Sequence, residues 1–152
     1  MNLKENLKKF FRDRWNIAFL AILLIAIAIR AKYLLTDSIW PDEGLYIWYG
    51  YNLLHSPSYF ISEEFTRTIS YLPSIIVAIF NIFFSNYVAG KLMAIAFAIA
   101  GISFAYLLGK EIKDGFIGLI AAIFISFNII HWFYSDRVLL DVPLTTMFII
   151  TA

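Results

Sequence analysis

The sequence predicts an all-α integral membrane protein, a polytopic helical bundle with juxtamembrane helices in its first extracytoplasmic loop. Hydrophobic residues make up 61% of the 152-residue chain and charged residues 15%, whereas soluble domains contain about 45–50% and about 25%. The mean hydropathy is +0.77. Three apolar stretches are each roughly 20 residues long, which is the length that crosses a hydrocarbon core as a helix.

The composition also excludes several classes of function. The formal net charge is +1 and the basic residues cluster only near the N-terminus, so we expect no nucleic-acid partner. The chain has no cysteine, which removes disulfides, thiolate catalysis and cysteine metal sites. Its 15 phenylalanines and 9 tyrosines suit contact with membrane lipids, which we expect as partners.

Hydropathy and charge divide the chain into elements. Residues 1–14 are polar and basic, so the positive-inside rule predicts that they stay in the cytoplasm. A cleaved signal peptide is the alternative for this start, but the apolar run that follows is long and lacks a small-residue cleavage pattern. The predicted elements are a cytoplasmic N-terminus at 1–14, a transmembrane helix at 15–35, an extracytoplasmic loop with juxtamembrane or re-entrant helices at 36–87, a transmembrane helix at 88–109, a cytoplasmic turn at 110–114, a transmembrane helix at 115–135, an extracytoplasmic turn at 136–142 and the start of a further transmembrane helix at 143–152.

Two places in this division carry further expectations. Arg30 and Lys32 lie near the end of the first apolar helix, where both side chains are expected to snorkel to the interface. The nine residues Leu144–Ala152 begin an apolar run that is too short to cross a bilayer. We therefore expect the chain to continue as a longer protein, and this part to be inactive by itself.

The first loop contains one clear helix and one ambiguous segment. A helix is predicted over Glu43–Leu54, because four side chains recur at i, i+3, i+4 and i+7, and His55-Ser56-Pro57 should end it. The four are Leu45, Trp48, Tyr49 and Asn52. The segment Ile69–Phe84 is apolar, but it has only 16 residues and contains Pro73, which makes it marginal for a span.

The path of Ile69–Phe84 decides the topology. If this segment crosses the membrane, Asp42 and Asp141 lie on opposite faces. If it is a surface or re-entrant helix, both acids lie on the outer face, and Lys110 and Lys113 lie in the cytoplasm. We favour the second arrangement because it places the lysine pair inside, as the positive-inside rule prefers.

The adjacent carboxylates Asp42 and Glu43 are the most informative feature of the sequence. They lie in S-I-W-P-D-E-G-L-Y-I-W, residues 38–48, directly after the first apolar stretch. Acids near hydrocarbon are costly to hold, which favours a functional role. The alternative is that Asp42 caps a helix and Glu43 stabilises its first turn. Asp141 precedes Pro143 and allows the same two interpretations.

Four motifs in order resemble the C-type glycosyltransferases, and most closely their protein O-mannosyltransferase and aminoarabinose-transferase branch. The motifs are W-P-D-E-G-L-Y after the first span, Y-L-P about thirty residues later, G-K-L followed by L-L-G-K-E-I around the next span, and R-V-L-L-D-V-P. Members of that family move a sugar from a polyprenyl-phosphate carrier to an acceptor outside the cytoplasm. The resemblance implies a multi-pass protein of the cell membrane with its active site facing outside.

The resemblance also implies roles for individual residues. Asp42 matches the catalytic acid of the first loop, Glu43 its usual neighbour, and Asp141 the second acidic position. Lys91 occupies the basic position early in the intervening helix, although a snorkelling anchor is the alternative for it. Candidates for substrate binding are Lys91, Arg137 and Tyr46. The chain departs from its relatives at Tyr71, where they often carry histidine or an acid, which argues against a metal ligand there.

The expected reaction is sugar transfer from a polyprenyl-phosphate-linked donor to a protein, lipid or glycan acceptor. A carboxylate is a suitable base for the acceptor hydroxyl. The departing phosphate needs positive charge or a metal, and Asp42 and Asp141 are candidate ligands for magnesium or manganese. A non-catalytic membrane assembly or scaffold module is the alternative function. A transporter is disfavoured, since the middles of the predicted spans lack charge.

Overall fold

The computed structural model describes residues 3–32, 34, 39–66 and 71–152, and across these ranges the chain is helical without strands. The all-α prediction is therefore confirmed. The helices are α1 (Leu3–Arg12), α2 (Arg14–Lys32), α3 (Pro41–His55), α4 (Glu63–Thr66), α5 (Tyr71–Asn81), α6 (Asn86–Ile112), α7 (Gly115–Phe127), α8 (Ile129–Tyr134) and α9 (Asp141–Thr151), with a 3-10 turn at Pro57–Ile61 between α3 and α4.

Among the described residues, two helices are long and apolar enough to cross a membrane. They are α2, with 19 residues, and α6, with 27. The apolar helices α5, α7 and α9 are shorter, with 11, 13 and 11 residues. Residues 69 and 70, at the start of the ambiguous segment, lie outside the described residues.

The helix α6 is the centre of the bundle. Towards its N-terminal half, a core joins α3, α5, α6 and α9 through side chains such as Ile47, Val77, Met93 and Val142. Towards its C-terminal half, a second core joins α2, α6 and α7 through Phe19, Ala26, Ile102, Tyr106 and Ala122. The elements that carry the candidate site therefore all pack on the first half of α6.

The helix boundaries differ from the predicted ones in two places. Lys110 was expected in a turn at 110–114, but α6 continues to Ile112, and Asp114 then caps α7 by accepting from the backbone N–H groups of Phe116 and Ile117, both at 3.0 Å. The single helix expected at 115–135 is instead two helices, α7 and α8. The break lies at Asn128, whose side chain caps α8 by accepting two backbone N–H groups at 3.1 Å.

Close approach of α6 and α7 depends on two glycines, Gly109 and Gly118. A Cβ atom at Gly109 would lie 2.8 Å from the Cα of Gly118 and 3.0 Å from its backbone nitrogen. Small residues at such crossings are what allow apolar helices to approach each other in a membrane.

We expect Gly109→Ala to destabilise the protein by about 1–3 kcal/mol, because the obstacles are backbone atoms and the two helices must move apart. Gly44→Ala is the matched control, since a Cβ atom at that helical glycine meets nothing within 4 Å. Without a clash, alanine is the better helix former by about 0.5–1 kcal/mol. Thermal unfolding in detergent checks the pair, and equal effects of the two variants would refute the close-packing account.

Candidate functional site

The site begins at the N-terminus of α3. Trp40 is the N-cap residue in extended conformation and Pro41 is the first helical residue, a position that proline favours because its missing N–H is not needed there. Asp42 and Glu43 follow in the first turn, where negative charge interacts favourably with the helix dipole. The interpretation of Asp42 as the cap residue is therefore wrong, whereas the placement of Glu43 in the first turn is confirmed.

The two adjacent acids face different surroundings. The side chain of Asp42 is exposed and that of Glu43 is fully buried. Successive residues of a helix point about 100° apart, so one can face solvent while the next faces the core. The pair is therefore divided into one accessible carboxylate and one inaccessible carboxylate.

Glu43 lies between two cations from other parts of the chain. Its Oε2 is 3.7 Å from Nζ of Lys91, and its Oε1 is 3.6 Å from Nη1 of Arg137. Burial raises the pKa of Glu43, and the positive charges of Lys91 and Arg137 oppose that rise, while Asp136 adds to it. The three charged side chains tie the start of α3 to the start of α6 and to the segment before α9. We call Glu43, Lys91 and Arg137 the buried ionic cluster.

Aromatic rings complete the surroundings of the two cations. The guanidinium carbon of Arg137 is 4.8 Å from the ring centroid of Trp40 and 5.4 Å from that of Phe133. Nζ of Lys91 is 5.6 Å from the ring centroid of Tyr87. Such contacts stabilise a cation by about 0.5–2 kcal/mol, with the larger value for desolvated groups.

The buried ionic cluster consists of three residues for which the sequence predicts roles at the reaction itself. Lys91 and Arg137 were expected to bind substrate, and Glu43 was expected at the catalytic centre. All three are buried, with Glu43 and Lys91 at 0% side-chain exposure and Arg137 at 10%, and both cations pair with Glu43. The alternative of a snorkelling Lys91 is wrong, because its amine is fully buried in the bundle. The ion pairs hold the start of α3 in place, and the catalytic and substrate-binding roles of the three residues stay predictions.

The accessible part of the site consists of Asp42, Tyr46 and Asp141. Asp141 is exposed and is the first residue of α9, after Leu140 in the cap position, so its interpretation as an N-cap is wrong. The pKa of Tyr46 is raised first by burial, and then by the charges of Asp42, Tyr49 and Asp141. Both carboxylates therefore act on one phenol. We call Asp42, Tyr46 and Asp141 the acidic face.

A small cavity adjoins the acidic face. It has a volume of about 220 Å³ and is lined by Asp141 and Thr145 from α9, and by Asn128, His131 and Tyr134 from the region of α8, with apolar side chains filling the rest. This volume is below the roughly 300–1,000 Å³ of sites for drug-sized ligands. Within the described ranges, no three His, Asp or Glu side chains gather into a metal-binding group.

A second buried charge was missed by sequence reasoning. Arg30 is 1% exposed, and its guanidinium donates to the carbonyl oxygens of Ala26 at 3.1 Å and Ser126 at 3.3 Å. Its Nη2 also lies 3.3 Å from Nδ1 of His131. Arginine can only donate, so Nδ1 is the acceptor and the imidazole proton is on Nε2. The expectation that Arg30 snorkels is wrong. The signal that the sequence offered for a buried partner was His131, a polar residue in an otherwise apolar stretch.

We expect Arg30→Lys to lower the free energy of unfolding by about 1–3 kcal/mol, because the compact ammonium of lysine lacks the planar fork of donors that reaches all three acceptors and leaves a buried polar group unsatisfied. Lys113→Met serves as the control, since Lys113 is an exposed cation at the end of α6. Denaturation of both variants in the same detergent measures the difference. A loss for Arg30→Lys that is no larger than for Lys113→Met would contradict the role of the guanidinium fork.

Comparisons with models of protein families, with curated proteins and with solved structures find no match to this chain. The resemblance to the C-type glycosyltransferases therefore rests on the sequence motifs, and the function has to be argued from the geometry of the site.

Proposed function

We propose that this protein is a membrane glycosyltransferase that moves a sugar from a polyprenyl-phosphate-linked donor to an acceptor outside the cytoplasm. The observation that carries the proposal is the division of the acid pair. Asp42 is exposed on the acidic face, while Glu43 is locked in the buried ionic cluster directly beneath it. A carboxylate that is held at a fixed place and still meets solvent has the properties that a general base needs.

The proposed reaction uses Asp42 as that base. Its carboxylate takes the proton of the acceptor hydroxyl as the hydroxyl oxygen attacks the anomeric carbon of the sugar. The bond from that carbon to the phosphate oxygen breaks, and polyprenyl phosphate leaves with the bonding electron pair. Tyr46 and Asp141 lie within electrostatic range of this position and supply hydrogen-bonding groups for sugar hydroxyls.

Magnesium or manganese is compatible with the acidic face. Magnesium is commonly held by one or two carboxylates together with phosphate oxygens of the substrate. Asp42 and Asp141 are the residues that would hold it, and both are accessible. The ion would stabilise the negative charge on the departing phosphate.

The dimensions of α6 support a membrane setting for the site. The buried ionic cluster includes Lys91 near the start of α6, and Lys110 near its end pairs with Asp13 at 2.8 Å. These lysines are 19 residues apart, which corresponds to about 28 Å of helix. The hydrocarbon core of a bilayer is about 30 Å thick. The two ionic groups thus have the separation of the two membrane surfaces.

The acidic face also bears on topology. The helix α5 has 11 residues, about 16 Å of helix, which is short for a complete crossing. If it did cross, Asp42 and Asp141 would lie on opposite sides of the membrane, yet the helices that carry them, α3 and α9, contribute Ile47 and Val142 to one core on the first half of α6. This supports a re-entrant or surface path for α5, with the acidic face outside and Lys110 and Lys113 in the cytoplasm.

Cysteine labelling checks this topology, since the chain contains no cysteine of its own. We expect Glu111→Cys in intact cells to react with a membrane-impermeant maleimide only after permeabilisation. Ser58→Cys, an exposed position between α3 and α4, is the matched control and is expected to react without permeabilisation. Labelling of Glu111→Cys from outside would refute the topology.

Sugar transfer itself distinguishes the enzyme from a scaffold module. The purified protein is reconstituted with a polyprenyl-phosphate donor carrying a radiolabelled sugar, and with membrane and protein acceptors. The proposal predicts labelled acceptor together with free polyprenyl phosphate in equal amounts. A purified, folded protein that consumes none of the donors tested would favour the scaffold.

A further inference from the structure

The N-terminal helix α1 lies outside the candidate site. It ends at Arg12, and only Asp13 separates it from α2, one of the two helices able to cross a membrane. The side chains of Lys8, Lys9 and Arg12 are exposed, and Phe11 is 56% exposed. An exposed aromatic ring among exposed cations is the composition of helices that lie in a membrane surface.

The joint between α1 and α2 is held by several polar contacts. The side-chain amide of Asn16 donates to the carbonyl oxygen of Phe10 at 3.0 Å, and Asp13 accepts from the backbone N–H of Trp15 at 3.0 Å. Lys110 pairs with Asp13 at 2.8 Å, and this hydrogen bond is the first cause that holds the pKa of Asp13 below its usual value. The direction in which α1 leaves the bundle is therefore defined by contacts with α2 and α6.

The charge on α1 is strongly one-sided. Lys8 and Arg12 are four residues apart and so lie on the same side of the helix, and Lys9 adds a third exposed cation. Glu5, the exposed acid of this helix, is three and four residues before Lys8 and Lys9 and lies on the same side, so the exposed charges of that side remain positive on balance. The charge of Asp13 is already compensated by Lys110. The surface that fits this helix is negatively charged and has an apolar layer within reach of Phe11.

We propose that α1 lies in the plane of the cytoplasmic membrane surface and binds anionic lipid headgroups through Lys8, Lys9 and Arg12, with Phe11 inserted at the acyl boundary. The inference requires that α2 crosses the membrane, and it does not depend on sugar transfer. Each basic residue near an anionic surface favours association by about fivefold, so three together favour the docked state by about 100-fold.

A nitroxide label on Phe11→Cys tests the proposal in the whole chain, whose only cysteine it would be. The protein is reconstituted in vesicles of phosphatidylcholine alone, or with about one-third phosphatidylglycerol, so that the surface carries anionic charge. The readout is collision of the label with a water-soluble nickel chelate. We expect the label to be shielded in the anionic vesicles and accessible in the neutral ones, and accessible again at about 1 M salt, where the screening length falls to about 3 Å.

Charge reversal supplies the second measurement. With Lys8, Lys9 and Arg12 all replaced by glutamate, the ratio of shielded to accessible label in anionic vesicles should fall by about 100-fold or more. Reversal of Lys113, at the same end of the bundle but outside α1, should leave the ratio unchanged. A label that is equally accessible in both kinds of vesicle, shielded regardless of lipid charge, or insensitive to the triple reversal would overturn the proposal.

Discussion

Replacing Glu43 by alanine is expected to lower the free energy of unfolding by about 3–5 kcal/mol, the usual cost of breaking a buried ion pair by removing one partner. Glu43 is the carboxylate that lies against both Lys91 and Arg137, at 3.7 and 3.6 Å. Its loss leaves two buried cations with a much weaker counter-charge. Chemical denaturation of the detergent-solubilised protein measures the effect.

The neighbouring acid is the matched control for this prediction. Asp42→Ala removes an exposed carboxylate from the same helical turn, and changes at exposed sites are usually within about 0.5 kcal/mol. A double-mutant cycle with Lys91→Met should show that the two losses are not additive, since both changes break one interaction. If Glu43→Ala costs no more than Asp42→Ala, the buried ionic cluster does not hold the site together.

The sequence predicted the helices of this protein better than it predicted the roles of the charged residues. The helix α3 was predicted from the helical spacing of four side chains from Leu45 to Asn52, and its end at His55 agrees with the expected stop at His55-Ser56-Pro57. The break between α7 and α8 was missed, because the hydropathy of the flanking residues outweighs a single Asn128. Whether an asparagine caps a helix or continues one depends on its local hydrogen bonds, and these cannot be inferred from the composition of the segment.

The candidate site shows where sequence reasoning reaches its limit. The sequence pattern identified Asp42 and Glu43 as a notable pair, but it could not tell which of the two is buried. The face of α3 that packs on α6 determines this. Lys91 and Arg137 were assigned to substrate for the same reason, since each was considered without the partner that neutralises it. The burial of Glu43 follows only from the tertiary structure, which brings together the start of α3, the start of α6 and the segment before α9.

Replacing Asp42 by asparagine is expected to lower the rate of sugar transfer by about 100- to 10,000-fold, which is the typical loss on removal of a general base. The amide keeps the shape of the side chain but cannot accept the proton of the acceptor hydroxyl. Because Asp42 is exposed and lies outside the buried ionic cluster, the stability of the fold should remain close to that of the unaltered protein.

Glu43→Gln is the control for this loss, because glutamine is similar in size and its amide lies where the buried carboxylate was. We expect it to reduce the amount of folded protein, while the rate per folded molecule falls much less than for Asp42→Asn. The two adjacent positions should therefore differ in kind, with Asp42 affecting the chemical step and Glu43 affecting stability.

The most direct test of the central claim is the transfer rate per folded molecule of Asp42→Asn in the reconstituted protein, with a polyprenyl-phosphate-linked sugar as donor. We expect a folded protein that transfers sugar at least about 100-fold more slowly. A folded Asp42→Asn protein that transfers sugar at the unaltered rate would contradict the assignment of Asp42 as the base.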